Sequence, residues 1–126
     1  MLQVADLTIR ALGAMLLGLG LAVTGQARDE VRLRNPYYGA IAYHHASASV
    51  GWATDRRTSR EASAEALKQC AHQKCEVVAT VARGCIALAR EKKFAVQRGA
   101  TRQEAEAKAL RRCGERCEIA AWTCTR

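Results

Sequence analysis

Six cysteines are the residues of this chain whose chemistry is best defined by their spacing. One pair spaced C-x4-C, with a histidine inside it, and a later pair spaced C-x3-C loosely resemble zinc ligands, although C-x2-C is the usual form. An even number of cysteines in an exported chain is more typical of a disulfide framework, which leaves no thiolate for metal binding or catalysis. We therefore predict no metal site and no cofactor. The cysteines are Cys70, Cys75, Cys85, Cys113, Cys117 and Cys124.

The N-terminal residues indicate export. Residues 11–23 form an apolar run that follows Arg10, and the small residues Gly25 and Ala27 suit cleavage after Ala27. The run is shorter than the roughly 20 residues needed to cross a bilayer, so a cleaved signal peptide over 1–27 is favoured over a membrane anchor. We expect a periplasmic or secreted protein with no transmembrane segment after cleavage.

The cysteines belong to an internal repeat. Thr58-x-x-Glu61 leads through two alanines and a leucine to Cys70, and Thr101-x-x-Glu104 leads through the same residues at the same spacing to Cys113. Each T-x-x-E sequence is a helix capping box, and the repeated alanines place a small-residue stripe on one helix face. The alanines are Ala62 and Ala66 in the first copy and Ala105 and Ala109 in the second.

Short apolar segments around the two helices predict the strands. They are residues 37–43, 50–54 and 76–82 in the first copy, and 86–90, 93–97 and 118–123 in the second. The predicted fold is α+β: a duplicated ββαβ unit forming one antiparallel-rich sheet with two helices on one face. We assign residues 28–36 to a flexible leader and 37–126 to one domain, with repeats at 37–85 and 86–126. Gly114 is predicted to be a left-handed helix cap.

Six cysteines allow 15 pairings, and the repeat favours the one that treats both copies alike. Cys70–Cys75 and Cys113–Cys117 would each join a helix end to the next strand. Cys85–Cys124 would then join the two copies. Because it closes the longest loop, this third bridge is expected to stabilise most, by roughly 4 kcal/mol.

The net charge of +8 bears on the partner. A positive field outside the cytoplasm favours anionic envelope polymers, lipid head groups or acidic proteins. We expect no nucleic-acid partner, since no nucleic-acid-binding motif is present.

Seven residues are candidates for contacting a partner, each with a structural alternative. The tyrosines precede or begin a strand and either anchor a partner or cover an edge strand. The histidines fall in a hairpin loop, where a solvated polar loop is favoured over metal binding or titration. Trp52, like Trp122, either lines a groove or packs in the core, and core packing is favoured. The lysines lie in a charged turn after Glu91. The candidates are Tyr37, Tyr38, His44, His45, Trp52, Lys92 and Lys93.

No catalytic set is recognisable in the sequence. Glu61 and Glu104 are explained by capping, Glu76 and Glu118 sit beside cysteines in both copies, and no Ser–His–Asp set or phosphate-binding glycine loop is present. We expect a non-enzymatic binding module. The alternatives are a small envelope-associated hydrolase with an unrecognised site and a basic module that binds anionic envelope surfaces.

Several segments together carry a family resemblance. YYGAIAY, a tryptophan-containing strand, the T-x-x-E-A helix running to cysteine, CEVV, GCIALA and AWTC resemble the bacterial family called domain of unknown function 4189. The resemblance covers Tyr37 to Cys124. It implies a small exported protein without an established enzyme activity, and it assigns no catalytic residue. An inhibitor or immunity-type protein, acting on a toxin or envelope hydrolase, is one form this function would take.

Overall fold

A computed structural model describes residues 36–126 and shows the same order of elements twice. The first copy contains β1 (Tyr38–His44), β2 (Ser49–Arg56), α1 (Ser59–Cys70) and β3 (Glu76–Ala82). The second contains β4 (Gly84–Arg90), β5 (Phe94–Gly99), α2 (Arg102–Cys113) and β6 (Glu118–Thr125). The duplicated ββαβ prediction is confirmed. The predicted signal peptide 1–27, and the leader 28–36 up to residue 35, lie outside the described residues.

The strands form two antiparallel three-stranded sheets, where the sequence predicted a single sheet. Their orders are β2-β1-β3 and β5-β4-β6, so the first strand of each copy lies in the centre of its own sheet. Both central strands are buried along five consecutive residues. A strand buried on both faces must be covered by a different layer on each side.

Side-chain size determines which layer covers which face. In β1, Ala40 and Ala42 pack against α1, whereas Ile41 and Tyr43 pack in a core shared with the second sheet. In β4, Ala87 and Ala89 pack in the cluster that includes the alanines of α2, and its two larger side chains enter the shared core. The sheets therefore face each other and the helices lie on the two outer faces. The expectation of both helices on one face is wrong, because large side chains on each central strand need the other sheet.

Both helices begin at the predicted capping boxes. The hydroxyl Oγ1 of Thr58 accepts from the Glu61 amide at 3.0 Å, and Oγ1 of Thr101 accepts from the Glu104 amide at 3.2 Å. Each glutamate then accepts from the amide of the residue before its threonine. Gly114 is the C-cap of α2, as predicted, and its φ of 123° favours glycine, but its ψ of 176° differs from the predicted left-handed conformation. In the first copy Ala71 does adopt the left-handed conformation.

All three predicted disulfides are present, and they leave no free cysteine among the described residues. The expected role of Cys85–Cys124 as a link between the copies is wrong. Cys85 lies in β4 and Cys124 lies opposite it in β6, so the bridge joins two strands of the second sheet. In the first sheet, the positions equivalent to these two cysteines hold Tyr38 and Ala82, so that sheet has no such bridge. The two copies are therefore joined without a disulfide, by packing of the two sheets and by hydrogen bonds between them.

Candidate functional site

The two tryptophans of the chain are exposed, which corrects the expectation that they pack in the core. Trp52 is 49% exposed on β2 and Trp122 is 38% exposed on β6. Both strands are edge strands, and the shared core is already filled by aliphatic side chains and Tyr43. Burying two indoles there would require a larger space between the sheets.

A groove of about 450 Å³ lies between the two indoles and is called the tryptophan groove below. Its lining includes five consecutive residues of β6, from 120 to 124. Consecutive residues of a strand point to opposite faces, so a surface lined by all five runs along the outer edge of that strand. The lining is Trp52, Thr54, Ala120, Ala121, Trp122, Thr123 and Cys124.

Two threonines hold β2 against β6 at this groove. The Thr123 hydroxyl lies 3.2 Å from the carbonyl oxygen of Ala53 and donates to it. The Thr54 hydroxyl lies 2.5 Å from the Thr123 hydroxyl. Since Thr123 has one hydroxyl proton, Thr54 is the donor in the second bond. These bonds position Trp52 beside β6.

Positive charge borders the groove. The guanidinium carbon of Arg102 lies 3.9 Å from the centre of the Trp122 ring, and its Nε donates to Glu106 at 2.9 Å. This cation–π contact fixes the indole of Trp122. Arg56 lies in the depression on the other side of Trp52, with its guanidinium 3.9 Å from Glu65.

Asp55 fastens the end of β6 to β2, and this contact is called the Asp55 clasp. Its carboxylate accepts from the Thr125 hydroxyl at 2.8 Å and from the Arg126 amide at 3.2 Å. These hydrogen bonds, the Thr125 bond first, hold the pKa of Asp55 below its ordinary value. Tyr37 joins the same end, because its amide donates to the Arg126 carbonyl at 2.8 Å.

The other predicted aromatic candidates lie outside the tryptophan groove. Tyr37 is 38% exposed and has the Arg126 guanidinium 5.3 Å from its ring centre. Tyr38 is partly buried and packs against the alanines between β1 and α1. Of the seven predicted partner-binding residues, Trp52 is the one that lines the groove.

The histidines make specific contacts at the end of β1. His44 stacks on His72, with ring centres 4.3 Å apart and planes 16° apart. Burial, followed by repulsion from His72, lowers the pKa of His44. His45 lies 3.0 Å from the Tyr43 hydroxyl and 2.7 Å from the Lys92 carbonyl. The loop is therefore structured rather than simply solvated.

Lys92 and Lys93 lie exposed in the turn between β4 and β5. The backbone carbonyl of Lys92 accepts the hydrogen bond from His45, and the ammonium group of Lys92 takes no part in this bond. Within residues 36–126, no three histidine, cysteine, aspartate or glutamate side chains are placed to hold a metal ion. The same residues contain no helix long and apolar enough to cross a membrane.

Sequence reasoning missed the contribution of Thr54, Thr123 and Arg102 to the groove. A signal was present in the repeat. In the first sheet Trp52 pairs with Ile41, and in the second sheet Val96 pairs with the equivalent Leu88. In the same way, Trp122 pairs with Ala87 in the second sheet, and Thr80 pairs with the equivalent Ala40 in the first. The positions of the two tryptophans are therefore occupied by Val96 and Thr80 in the other copy. Aromatic residues at positions where the other copy has smaller ones mark the site.

The architecture defines a small, cysteine-bridged α+β domain built from two ββαβ units. The chain belongs to the family described as Domain of unknown function (DUF4189), whose model matches residues 38–124. The resemblance seen in the sequence is thus confirmed.

One solved structure supports the fold. The NMR structure of Rv1813c from Mycobacterium tuberculosis is 34% identical in sequence and superposes with a TM-score of 0.57. The match covers 70% of this chain and 74% of that chain. No curated protein matches this chain.

Proposed function

We propose that this chain is an exported, non-enzymatic binding module whose tryptophan groove binds an acidic protein partner. The exposure of both tryptophans on adjoining strand edges is the observation that carries this proposal. Tryptophan is enriched among the residues that dominate protein–protein binding energy, because a large apolar ring is buried at little entropic cost. Two indoles beside hydroxyl groups and arginines suit a partner with apolar and acidic residues.

The groove supports binding rather than catalysis. None of its lining residues has an ionisable side chain, since Cys124 is in a disulfide. Elsewhere, structural bonds account for the glutamates with lowered pKa. The pKa of Glu104 is lowered by hydrogen bonds from Lys108 and the Ala100 amide, and that of Glu65 mainly by one from Gln69.

The proposed location is the periplasm or the outside of the cell. Three disulfides are typical of a compartment that does not reduce them. An inhibitor or immunity-type role, in which the groove blocks a toxin or an envelope hydrolase, suits a rigid module of this size. An anionic envelope polymer is the second candidate, favoured by the net charge of +8.

Capture from envelope extract by three immobilised variants tests the proposal. Trp52→Ala and Trp122→Ala should each lower the apparent affinity for the captured protein at least about tenfold, or about 1.4 kcal/mol. Phe94→Ala is the matched control, because Phe94 is also an exposed aromatic, at 41%, but does not line the groove. Equal capture by the wild type and both tryptophan variants would overturn the proposal.

Intrinsic fluorescence gives an independent readout. Because the chain has two tryptophans and both line the groove, a partner that enters it must change their emission. Polyglutamate and vesicles containing phosphatidylglycerol serve as comparison ligands. A response to those ligands that exceeds the response to the captured protein would favour the polymer or lipid alternative.

A further inference from the structure

We infer that the partner contributes an extended acidic segment, which pairs with the free edge of β6 as a fourth strand of the second sheet. This inference rests on the proposed function and specifies how the groove is occupied. Addition of a strand to an exposed edge is a general mode of peptide recognition, in which backbone hydrogen bonds provide affinity and side-chain pockets provide selectivity.

The register of β6 shows which backbone groups face outward. In an antiparallel pair, residues with closely spaced Cα atoms are those whose N–H and C=O groups point away from each other. The Cα atoms of Cys85 and Cys124 are 4.0 Å apart. Cys124 therefore directs its backbone groups to the free edge of β6, and by alternation Trp122 and Arg126 do the same.

The contacts of Arg126 agree with this register. Its amide donates to Asp55 and its carbonyl accepts from the Tyr37 amide, both on the side of β6 away from β4. The Asp55 clasp and Tyr37 thus occupy the outward groups at the end of the strand. The outward groups of Cys124 and Trp122, two and four residues before Arg126, border the tryptophan groove.

The other copy protects the same position. Arg98 of β5 donates from Nε to the Thr80 carbonyl at 2.7 Å, and Thr80 is the residue that corresponds to Trp122. Arg98 lies two residues after Val96, and Thr54 lies two residues after Trp52. The register of β2 shifts between Ala53 and Arg56, so Thr54 and Asp55 together occupy the position that Arg98 has on β5. Thr54 is too short to replace the guanidinium and instead bonds the Thr123 hydroxyl. A long, charged side chain over a strand edge commonly prevents another strand from pairing with it. The edge of β6 lacks such a side chain and has the short Thr54 beside it.

The positive net charge of the chain favours an acidic segment over a second copy of the chain in the tryptophan groove. A second copy of this chain would bring another net charge of +8 to the groove, whereas an acidic segment would meet Arg102 and Arg56. Side chains of an added strand alternate between the two faces of the sheet. One set would therefore contact Trp52 and the other Trp122.

The substitution Thr54→Arg tests the inference because competing explanations predict opposite results. An arginine here should bond the Trp122 carbonyl as Arg98 bonds Thr80, and should weaken partner binding at least about tenfold. If binding depended on charge and tryptophan contacts alone, the added positive charge would strengthen it. Thr54→Ser keeps the hydroxyl bond and should bind like the wild type.

Amide hydrogen exchange of the wild-type protein gives a test that does not depend on a variant. The probe is a blocked hexapeptide of alternating glutamate and valine, with a lysine–valine peptide as the control. Exchange at the amides of Trp122 and Cys124 should slow at least about tenfold with the acidic probe, while Thr123, whose amide faces β4, should be unchanged. Two N-methylated versions of the acidic hexapeptide add a further check. Methylation of the alternate nitrogens that would face β6 should abolish binding, and methylation of the nitrogens that would face away from β6 should not affect it.

The outcomes separate this inference from the proposed function. If the tryptophan variants lose the captured protein but Thr54→Arg binds more tightly and these amides are not protected, the groove binds its partner without strand pairing. The same conclusion follows if the acidic hexapeptide leaves both amides unprotected. If the tryptophan variants capture as much as the wild type, the proposed function itself fails.

Discussion

At the scale of single residues, side-chain size sorts the layers of this domain. On the buried part of the two central strands, the positions that face the helices are alanine or cysteine, and the larger side chains, isoleucine, leucine and tyrosine, face the other sheet. Small residues let a helix approach the centre of a sheet closely, so there is no space for a tryptophan on the central strands. Trp52 and Trp122 therefore remain at the edges, where a partner can reach them.

Gly51 is the sharpest case of this close approach. A Cβ atom at this position would lie 2.3 Å from both the Ala66 carbonyl oxygen and the Cys70 nitrogen of α1. Because backbone atoms cannot move aside cheaply, Gly51→Ala should lower the free energy of unfolding by about 2 kcal/mol. Urea unfolding followed by far-UV circular dichroism measures this change.

Gly39→Ala is the matched comparison. Its added Cβ would lie no closer than 3.1 Å to any neighbour, so the cost should be smaller than at Gly51. A Gly51→Ala variant that is as stable as Gly39→Ala would show that α1 does not pack against β2 as closely as described.

At the scale of elements, the ends of β2 and β6 are held together by side chains rather than by a backbone ladder. The Asp55 clasp joins the two strands at their ends, and Thr54 and Thr123 join them in the groove. Strand edges tied only at these points leave the backbone between them open. The same arrangement stabilises the domain and creates the groove.

The Asp55 clasp should make stability depend on pH. Because the folded-state pKa of Asp55 lies below its unfolded value of about 3.9, the clasp stabilises the fold fully above that value and is lost as pH falls through the folded pKa. Asp55→Asn should cost about 1 kcal/mol at pH 7, and the difference from wild type should shrink as pH falls below the unfolded pKa of about 3.9. Urea unfolding across this pH range measures it.

Glu115→Gln removes an exposed carboxylate in the turn after α2 and is the control. Its unfolding free energy at pH 7 should equal that of the wild type within about 0.5 kcal/mol. An Asp55→Asn deficit that grows on acidification would contradict the sign of the shift and the role of the clasp.

At the scale of the whole molecule, the two copies share their caps and helix-facing alanines but differ in how their sheets are braced. The second sheet has a disulfide, Cys85–Cys124, where the first has Tyr38 beside Ala82. This bridge has the largest sequence separation of the three, 39 residues, against 5 and 4 for the others. Loop-closure entropy therefore favours it as the main covalent stabiliser.

Replacement of the long-loop bridge and of one short-loop bridge by pairs of alanines tests this order. Removal of Cys85–Cys124 should cost about 4 kcal/mol and removal of Cys113–Cys117 about 2 kcal/mol, because the longer loop restricts the unfolded chain more. Chemical unfolding of the two double variants measures the costs. A larger loss from the short-loop variant would show that local geometry, not chain entropy, dominates the stabilisation.

The local features of the fold were predictable because short-range chemistry determines them. The capping threonines act on amides three residues away, the alanines share a face by helical spacing, and the strands follow β-branched and apolar runs. The two short bridges were predictable because each copy repeats them, whereas Cys85–Cys124 has no counterpart in the first copy, where Tyr38 lies beside Ala82. The placement of the layers was not predictable in this way, because it depends on which face of each central strand meets the other sheet.

The amino-acid sequence by itself determined the duplicated ββαβ order, the helix starts, the three disulfides and the family. Only the tertiary structure decided that the strands form two facing sheets, that Cys85–Cys124 braces one of them, and that both tryptophans are exposed. The reason is physical: caps, turns and spacing act within a few residues, whereas exposure depends on how much space remains between layers. The tryptophan groove exists because β2 and β6, distant in sequence, meet at the edges of different sheets.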